Sequence, residues 1–380
     1  MRRLHLILLL LIIMGVLHAE NSNTAFDPIK AEAKFYLHSA NDTIGFKMGT
    51  DEGEIAVDFL DSIDYTELPS KDDIILFSGQ DTIIIKYDTV PIKVIITSPN
   101  DTVIEIIKFI KDRIELLKEY STFANIPSIE YGRFYYSSPS DPNLTKLRET
   151  YNLDSVAGGG SEIDRIIRLM NWVHEMVPHE DSKKAYNPKP SNALNIIEVC
   201  KSEKRGANCR MLATILNEVY LSMGFKSRHA TCLPYNKEDP DCHVVNMVYS
   251  DSLGKWLYMD PTQGAYFMDD SGNILSISEV RDYLIENKSL QINNDANYHG
   301  VPTDFGWYKN YMAKNLFRFL CPLGSKFGYE SRAGERIWIT LNPTGYDAAK
   351  NMKADTTSDS TAQYIDYYTD NAGYFWMKPE

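Results

Sequence analysis

Arg205-Gly206-Ala207-Asn208-Cys209-Arg210 runs directly into Met211, Leu212, Ile215, Leu216, Val219 and Tyr220 at helical intervals, which sets a cysteine at the start of a helix. Asn208 suits the N-cap, where its side-chain oxygen takes a backbone N–H that has no partner within the helix. The thiol then lies at the positive end of the helix dipole, which favours the thiolate, the form that acts as a nucleophile. The same N–H groups can help to hold an oxyanion. A cysteine taken alone is more often a small buried hydrophobe or a disulfide partner, so its neighbours decide the reading.

The neighbours follow as two strand-like runs, His243-Val244-Val245-Asn246-Met247-Val248-Tyr249 and Gly254-Lys255-Trp256-Leu257-Tyr258-Met259-Asp260, around Ser250-Asp251-Ser252-Leu253. This is a hairpin signal. If Tyr249 pairs with Gly254, stepping outward brings His243 directly opposite Asp260. Opposed residues share a face with Cβ atoms about 4.5 to 5.5 Å apart, so the carboxylate reaches the imidazole. The carboxylate would then fix the ring's tautomer and stabilise the imidazolium, with the other ring nitrogen facing the sulfur. The plain alternative is a surface His beside a turn Asp. The ordered triple Cys209, His243, Asp260 argues for a catalytic triad.

These residues carry a family resemblance. Gly206-Ala207-Asn208-Cys209 with Ala213 downstream, His243 opening a strand and Asp260-Pro261-Thr262 closing the next resemble the Cys, His and Asp-Pro-Thr motifs of the transglutaminase-like superfamily, over about residues 160 to 290. The resemblance implies an α+β, papain-like core in which a Cys-bearing helix packs on an antiparallel sheet that supplies His and Asp. It also implies acyl transfer through a thioester, the chemistry shared by transglutaminases, peptide N-glycanases and bacterial thiol peptidases. Ala207 and the Val-Val-Asn that follows His243 depart from the usual pattern at positions that shape the substrate cleft. Trp172 is read as core packing on a helix with a clear apolar face, rather than as an oxyanion neighbour.

Outward from this core, Ala157-Gly158-Gly159-Gly160 breaks the chain before Ser161, an N-cap, and Ile163, Ile166, Ile167, Met170, Val173 and Val177 mark one helix face ending near Pro178. The expected domains are a catalytic domain at 161–290, a linker region at 121–160 and a C-terminal aromatic-rich extension at 291–380. Residues 20–120 form a β-rich N-terminal domain with a connecting helix from Val103 to Tyr120. Its strands are read at Ile55–Phe59, Ile74–Phe77, Ile83–Tyr87 and Ile92–Ile96, broken by Gly79-Gln80-Asp81 and Ser98-Pro99-Asn100-Asp101. Lys350–Gln363 reads as a polar linker or loop. Tyr131, Phe134, Tyr135 and Tyr136, with Tyr367, Tyr368, Tyr374, Phe375 and Trp376, are read as core or domain contacts before ligand platforms. His174 and His179, on or just past a helix, are read as solvated or capping.

Arg2 and Arg3, the apolar Leu6–Val16 and Leu17-His18-Ala19 have the outline of a secretory signal peptide at 1–19, which implies a periplasmic or secreted protein. No stretch approaches the roughly 20 apolar residues that a spanning helix needs. Of 380 residues, 43% are apolar, enough for a sizeable core. The formal charge of −13 becomes −15 once Arg2 and Arg3 leave with the leader, which excludes nucleic acid as a natural partner. The five cysteines are an odd count. If Cys209 is free, the other four can form up to two disulfides, or all can be free. Cys242 beside His243 invites a metal reading, but no metal-ligand spacing supports one, and a disulfide from Cys242 to Cys232 or Cys200 is preferred. No cofactor or metal is expected.

The sequence therefore points to an exported thiol hydrolase or acyltransferase acting on the carboxamide or peptide bonds of a protein, peptide or peptide-like substrate. The alternative is a non-catalytic module of the same fold that binds cell-surface peptide or glycan.

Overall fold

The structure is a computed structural model, and it describes residues 112–180, 185–237, 239, 241–346 and 362–380 together with eight strands between 34 and 109. The expected signal peptide lies outside the described residues, as does the polar Lys350–Gln363 stretch except for Ala362 and Gln363. The chain divides into two compact units, Met1–Leu116 and Leu117–Glu380.

In the first unit the strands are β1 (Lys34–His38), β2 (Thr43–Met48), β3 (Asp51–Ala56), β4 (Ile63–Leu68), β5 (Ile74–Ser78), β6 (Asp81–Ile85), β7 (Ile92–Thr97) and β8 (Thr102–Phe109). They form two four-stranded sheets, ordered β1-β7-β8-β4 and β3-β2-β5-β6. The helix expected from Val103 is present only as α1 (Arg113–Glu119), because its first half is β8. Val103, Ile104, Ile106 and Ile107 are β-branched, and β7 and β4 pair with this segment on both sides. Such pairing outweighs an apolar spacing that is ambiguous over so short a run.

The second unit is an α+β fold. Its helices are α2 (Pro142–Thr150), α3 (Leu153–Ala157), α4 (Glu162–Met176), α5 (Ala193–Glu203), α6 (Cys209–Ser222), α7 (Ile277–Ile285) and α8 (Phe305–Asn315). Its main strands are β9 (Ser227–Leu233), β10 (His243–Ser250), β11 (Lys255–Met259), β12 (Arg318–Pro322), β13 (Gly334–Leu341) and β14 (Ala362–Thr369). They make one six-stranded sheet in the order β11-β10-β9-β12-β13-β14, antiparallel except for the parallel β13–β14 pair. Ser161 caps α4 in a reciprocal box with Asp164, as the residues after the glycine run suggested.

Helix α6 is the axis of this unit. Every residue from Met211 to Ser222 is buried, the polar ones included. Its apolar face meets α2–α5 and the sheet residues Val248, Leu257 and Met259. Thr214 and Ser222 bond carbonyls of the helix itself, while other segments serve Asn217, which donates to Ser325 Oγ at 2.9 Å, and Glu218, which accepts from the N–H groups of Ala193 (2.7 Å) and Gly328 (2.8 Å). A helix buried on all sides needs such partners, because an unpaired buried polar group costs about 1–3 kcal/mol.

Residues on either side of the 161–290 segment are built into this unit. Leu147, Leu153 and Ala157, from the region read as a linker, lie in the same apolar cluster as α4 and α6. Residues after 290 supply three of the sheet's six strands. Ala124 bridges Asn371, and Tyr131 stacks on Tyr367 with centroids 4.4 Å apart. The early and late aromatic groups thus pack on each other. Arg228, fully buried, lies over Phe134 at 3.9 Å and Trp256 at 4.6 Å.

Candidate functional site

Cys209 is the first residue of α6, and the Asn208 side chain caps the helix by accepting the Met211 N–H at 3.0 Å. The loop before it is fixed by two strand-like bonds, Ala207 N–H to Pro178 O and Glu180 N–H to Ala207 O, both 2.9 Å. The Gly206 N–H donates to Glu180 Oε2 at 2.8 Å. A Cβ on Gly206 would lie 2.5 Å from Glu180 Cβ and 2.6 Å from Pro178 O, so only glycine permits this approach. Cys209 remains partly accessible.

His243 opens β10, and its Nε2 lies 2.7 Å from Asp260 Oδ2. Asp260 engages Nε2, so Nδ1 is the nitrogen left for Cys209, which lies near enough to help raise the pKa of the ring. The three sequence-predicted residues are therefore in one place. Burial alone would lower the imidazole's pKa, but the Asp260 carboxylate and its hydrogen bond, with Cys209, raise it above the ordinary histidine value. Burial conversely favours a protonated Asp260, and His243, Tyr308 and the Thr262 N–H together pull its pKa below the ordinary value.

The register that joins His243 to Asp260 differs from the expected one. Tyr249 pairs with Trp256 and Asn246 with Met259, so the loop is Asp251–Gly254 and the ladder is shifted by two residues. The next step would set Asp260 opposite Val245. His243 reaches it across the diagonal. A two-residue shift preserves the face of every side chain, whereas a one-residue shift would have separated the pair. The cause is tertiary: Glu162, in the first turn of α4, accepts bonds from Ser250 Oγ (2.6 Å), Asp251 N (3.0 Å) and Ser252 N (2.9 Å) and so shapes the loop.

Asp260 has more partners than the triad reading supplied. Tyr308 donates its hydroxyl to Asp260 Oδ2 at 2.6 Å, Thr262 N–H bonds Oδ1 at 2.8 Å, and the Tyr258 and Tyr308 hydroxyls are 2.6 Å apart. The Tyr311 ring meets the His243 ring edge-on at 5.5 Å, and its hydroxyl bonds Asp241 at 3.1 Å. Lys314 holds Asp239 at 2.8 Å and Asp241 at 2.5 Å, tethering the entry to β10. Tyr308, Tyr311 and Lys314 project from one side of α8. Asp304 as its N-cap and aromatic residues three apart were the sequence signal for this wall.

Both upstream histidines are engaged instead of solvated. His174 lies 3.0 Å from Pro261 O and 3.2 Å from Asn297 Oδ1, so it braces the turn after Asp260. His179 Nδ1 is 2.9 Å from the Tyr298 hydroxyl, and burial, with the charge of His243, lowers its pKa to about 4. Trp172 packs against the core and the Tyr151 ring at 5.4 Å, as expected. The preferred disulfide is not formed: all five cysteines are free. Cys200 donates to Gly206 O at 3.4 Å from α5, while Cys232 is buried within the sheet. Among the described residues no group of three or more His, Cys, Asp or Glu is arranged to hold a metal ion, and no helix is long and apolar enough to cross a membrane.

Beside Cys209, Arg210 donates to Glu330 Oε1 at 3.1 Å and to Thr231 Oγ1 at 3.3 Å, and His229 Nε2 is 3.4 Å from the same Glu330 oxygen. Burial would raise the Glu330 pKa, but Arg210 and His229 bring it down to about 2. This ion cluster anchors the first turn of α6 to the sheet and to the turn at Tyr329–Ser331.

Residues 149–261 match the family model of the transglutaminase-like superfamily. Among solved structures, a candidate cysteine protease from Cytophaga hutchinsonii is similar at 13% identity and a TM-score of 0.26, over 49% of this chain and 58% of that one. LapG from Legionella pneumophila is similar at 14% identity and a TM-score of 0.25, over 38% of this chain and 77% of that one. Red sea bream transglutaminase is similar at 12% identity and a TM-score of 0.25, over 72% and 51%. This chain thus spans little more than half the length of the first of them. At such TM-scores these likenesses place no residue and assign no activity. No curated protein matches the chain. The matched span contains Cys209, His243 and Asp260, and over residues 149–261 the chain is similar to the transglutaminase-like superfamily.

Proposed function

We propose that this protein is an exported thiol enzyme that breaks carboxamide or peptide bonds through a thioester on Cys209. The observation that carries the proposal is His243, bonded to the buried Asp260 carboxylate at 2.7 Å and near enough to Cys209, at the start of α6, for the thiol to help raise its pKa. The Cys209 sulfur gives its proton to His243 and attacks the carbonyl carbon of the substrate. The backbone N–H of Cys209, at the helix start, helps to hold the oxyanion. The C–N bond breaks as His243 passes the proton to the leaving amine, and Asp260 keeps the ring oriented throughout. Water, deprotonated by His243, then attacks the thioester, frees the carboxylic acid and restores the thiol. An acceptor amine in place of water would give a cross-link. We favour hydrolysis, because a thioester open to water hydrolyses. Export rests on the N-terminal charge and apolar pattern, and fractionation of the native host checks it.

Iodoacetamide labelling tests the reading directly. The pKa values of Cys200, Cys232, Cys242 and Cys321 are all raised by burial, with those of Cys242 and Cys321 near 11, so these thiols resist alkylation at neutral pH. Cys209 is expected to label selectively, and its rate to fall in His243→Ala. Labelling that ignores this substitution and follows an ordinary thiol with a pKa near 8.5 would sink the proposal. Mass spectrometry of an incubated peptide library then separates cleavage, deamidation and cross-linking.

A further inference from the structure

A groove of about 630 Å³ adjoins the cysteine loop. One wall is Pro178–Glu180, the segment zipped to Ala207, and Gly206 lies in its lining three residues before Cys209. Its other residues include Lys201, Lys204 and Arg205 from the end of α5, and Tyr298 and His299. The groove cannot move independently of the nucleophile, because the Gly206–Glu180 and Ala207–Pro178 bonds fasten its floor to the turn that delivers Cys209.

The charges on this lining oppose those of the rest of the chain. The chain carries a formal −13, yet among the described residues the lining has three cations and one carboxylate, Glu180, whose Oε2 accepts the Gly206 N–H. Arg205 pairs with Glu203 at 2.9 Å and bonds Tyr186 O at 3.0 Å, so it stiffens the wall. Lys201 and Lys204 are exposed and form no ion pair among the described residues. Lys204 is held in a left-handed conformation (φ 53°) as the C-cap of α5, its N–H bonded to Cys200 O and Lys201 O. Lys201 Nζ also lies 5.5 Å from the Tyr151 ring, and two exposed cations along one wall attract carboxylates.

We propose that this groove receives an acidic stretch of polypeptide lying to one side of the bond that Cys209 attacks. The proposal rests on the thiol-enzyme reading and adds its substrate class. Tyr298 and the imidazole of His299 give the peptide backbone polar and aromatic contacts, while Lys201 and Lys204 select the side chains.

The test uses the full chain with Cys209→Ala to prevent turnover, and fluorescein-labelled Glu-rich, Gln-rich and Lys-rich peptides of equal length, read by anisotropy. The Glu-rich peptide is expected to bind about tenfold or more tighter than the Gln-rich one. This preference should vanish at about 1 M salt, where the screening length falls to about 3 Å. Lys201→Glu with Lys204→Glu, two exposed sites, should reverse the order in favour of the Lys-rich peptide. Equal binding of the Glu- and Gln-rich peptides, or an order unmoved by the double substitution, overturns the groove assignment. In the native chain, the Glu-rich peptide should also slow iodoacetamide labelling of Cys209. Labelling that depends on His243 without any acidic preference would refute the groove alone. Acidic binding with labelling indifferent to His243 would refute the thiol-enzyme reading, and with it the placement of the peptide beside a scissile bond.

Discussion

At the scale of single residues, the His243–Asp260 pair owes its stiffness to groups beyond itself. Asp260 is fully buried and accepts from His243, Tyr308 and the Thr262 N–H, so its charge is held by three donors. Tyr308→Phe removes one of them and strands the Tyr258 hydroxyl. A loss of about 1–3 kcal/mol in urea unfolding is expected, with His243-dependent labelling of Cys209 retained. Labelling abolished as fully as in Asp260→Ala would instead put the phenol in the chemistry. Glu330 supplies a pH test. Its pKa falls on folding from its ordinary 4.5 to about 2, so its contribution is present above about pH 4.5 and fades as pH drops towards 2. Glu330→Gln should therefore cost on the order of 3 kcal/mol at pH 7 and nearly nothing at the acid end, in urea midpoints taken across that range. An equal loss at every pH would mean that packing, and not charge, is what Glu330 provides. Cys209, His243 and Asp260 were legible in sequence because capping and alternation are local. The partners of Asp260 and Arg210 were not, since Tyr308 and Glu330 stand 48 and 120 residues away from them.

At the scale of elements, the site is held where two loops and a hairpin are pinned by other segments. The segment at Pro178–Glu180 lies against Gly206-Ala207, a contact that a side chain at 206 forbids. Gly206→Ala must push Glu180 and Pro178 away, and we expect it to lower both thermal stability and the Cys209 labelling rate. Labelling and melting temperature at native levels would show that the loop can yield without moving Cys209. The β10–β11 hairpin makes a second lesson. Alternation put His243 and Asp260 on a common face, and that much followed from the period of two. The loop length was set by Glu162, eighty-eight residues before Ser250, whose carboxylate collects donors from the turn. No local turn rule contains that carboxylate. The misread half of the Val103–Tyr120 segment has the same origin, because its β-branched residues found strand partners on both sides.

At the scale of the whole molecule, Leu117–Glu380 is a compact unit, with the helices α2–α6 and the strands β10 and β11 sharing one core. We expect a 117–380 fragment to unfold cooperatively and to keep His243-dependent labelling of Cys209, as followed by circular dichroism and alkylation. A fragment ending at 290 should not fold, since it lacks three strands of the sheet and the Gly328 and Ser325 partners of α6. The sequence by itself determined the helix that begins at Cys209, the strands that carry His243 and precede Asp260, and the superfamily they resemble. Those features depend on caps and on periods of 3.6 and 2, which a chain writes within a few residues. The sheet order, the wall of tyrosines behind Asp260, the free state of all five cysteines and the cationic groove were decided only by tertiary structure. Each depends on which distant segment covers a buried polar group or strand edge, and hydrophobic pattern alone does not name that partner.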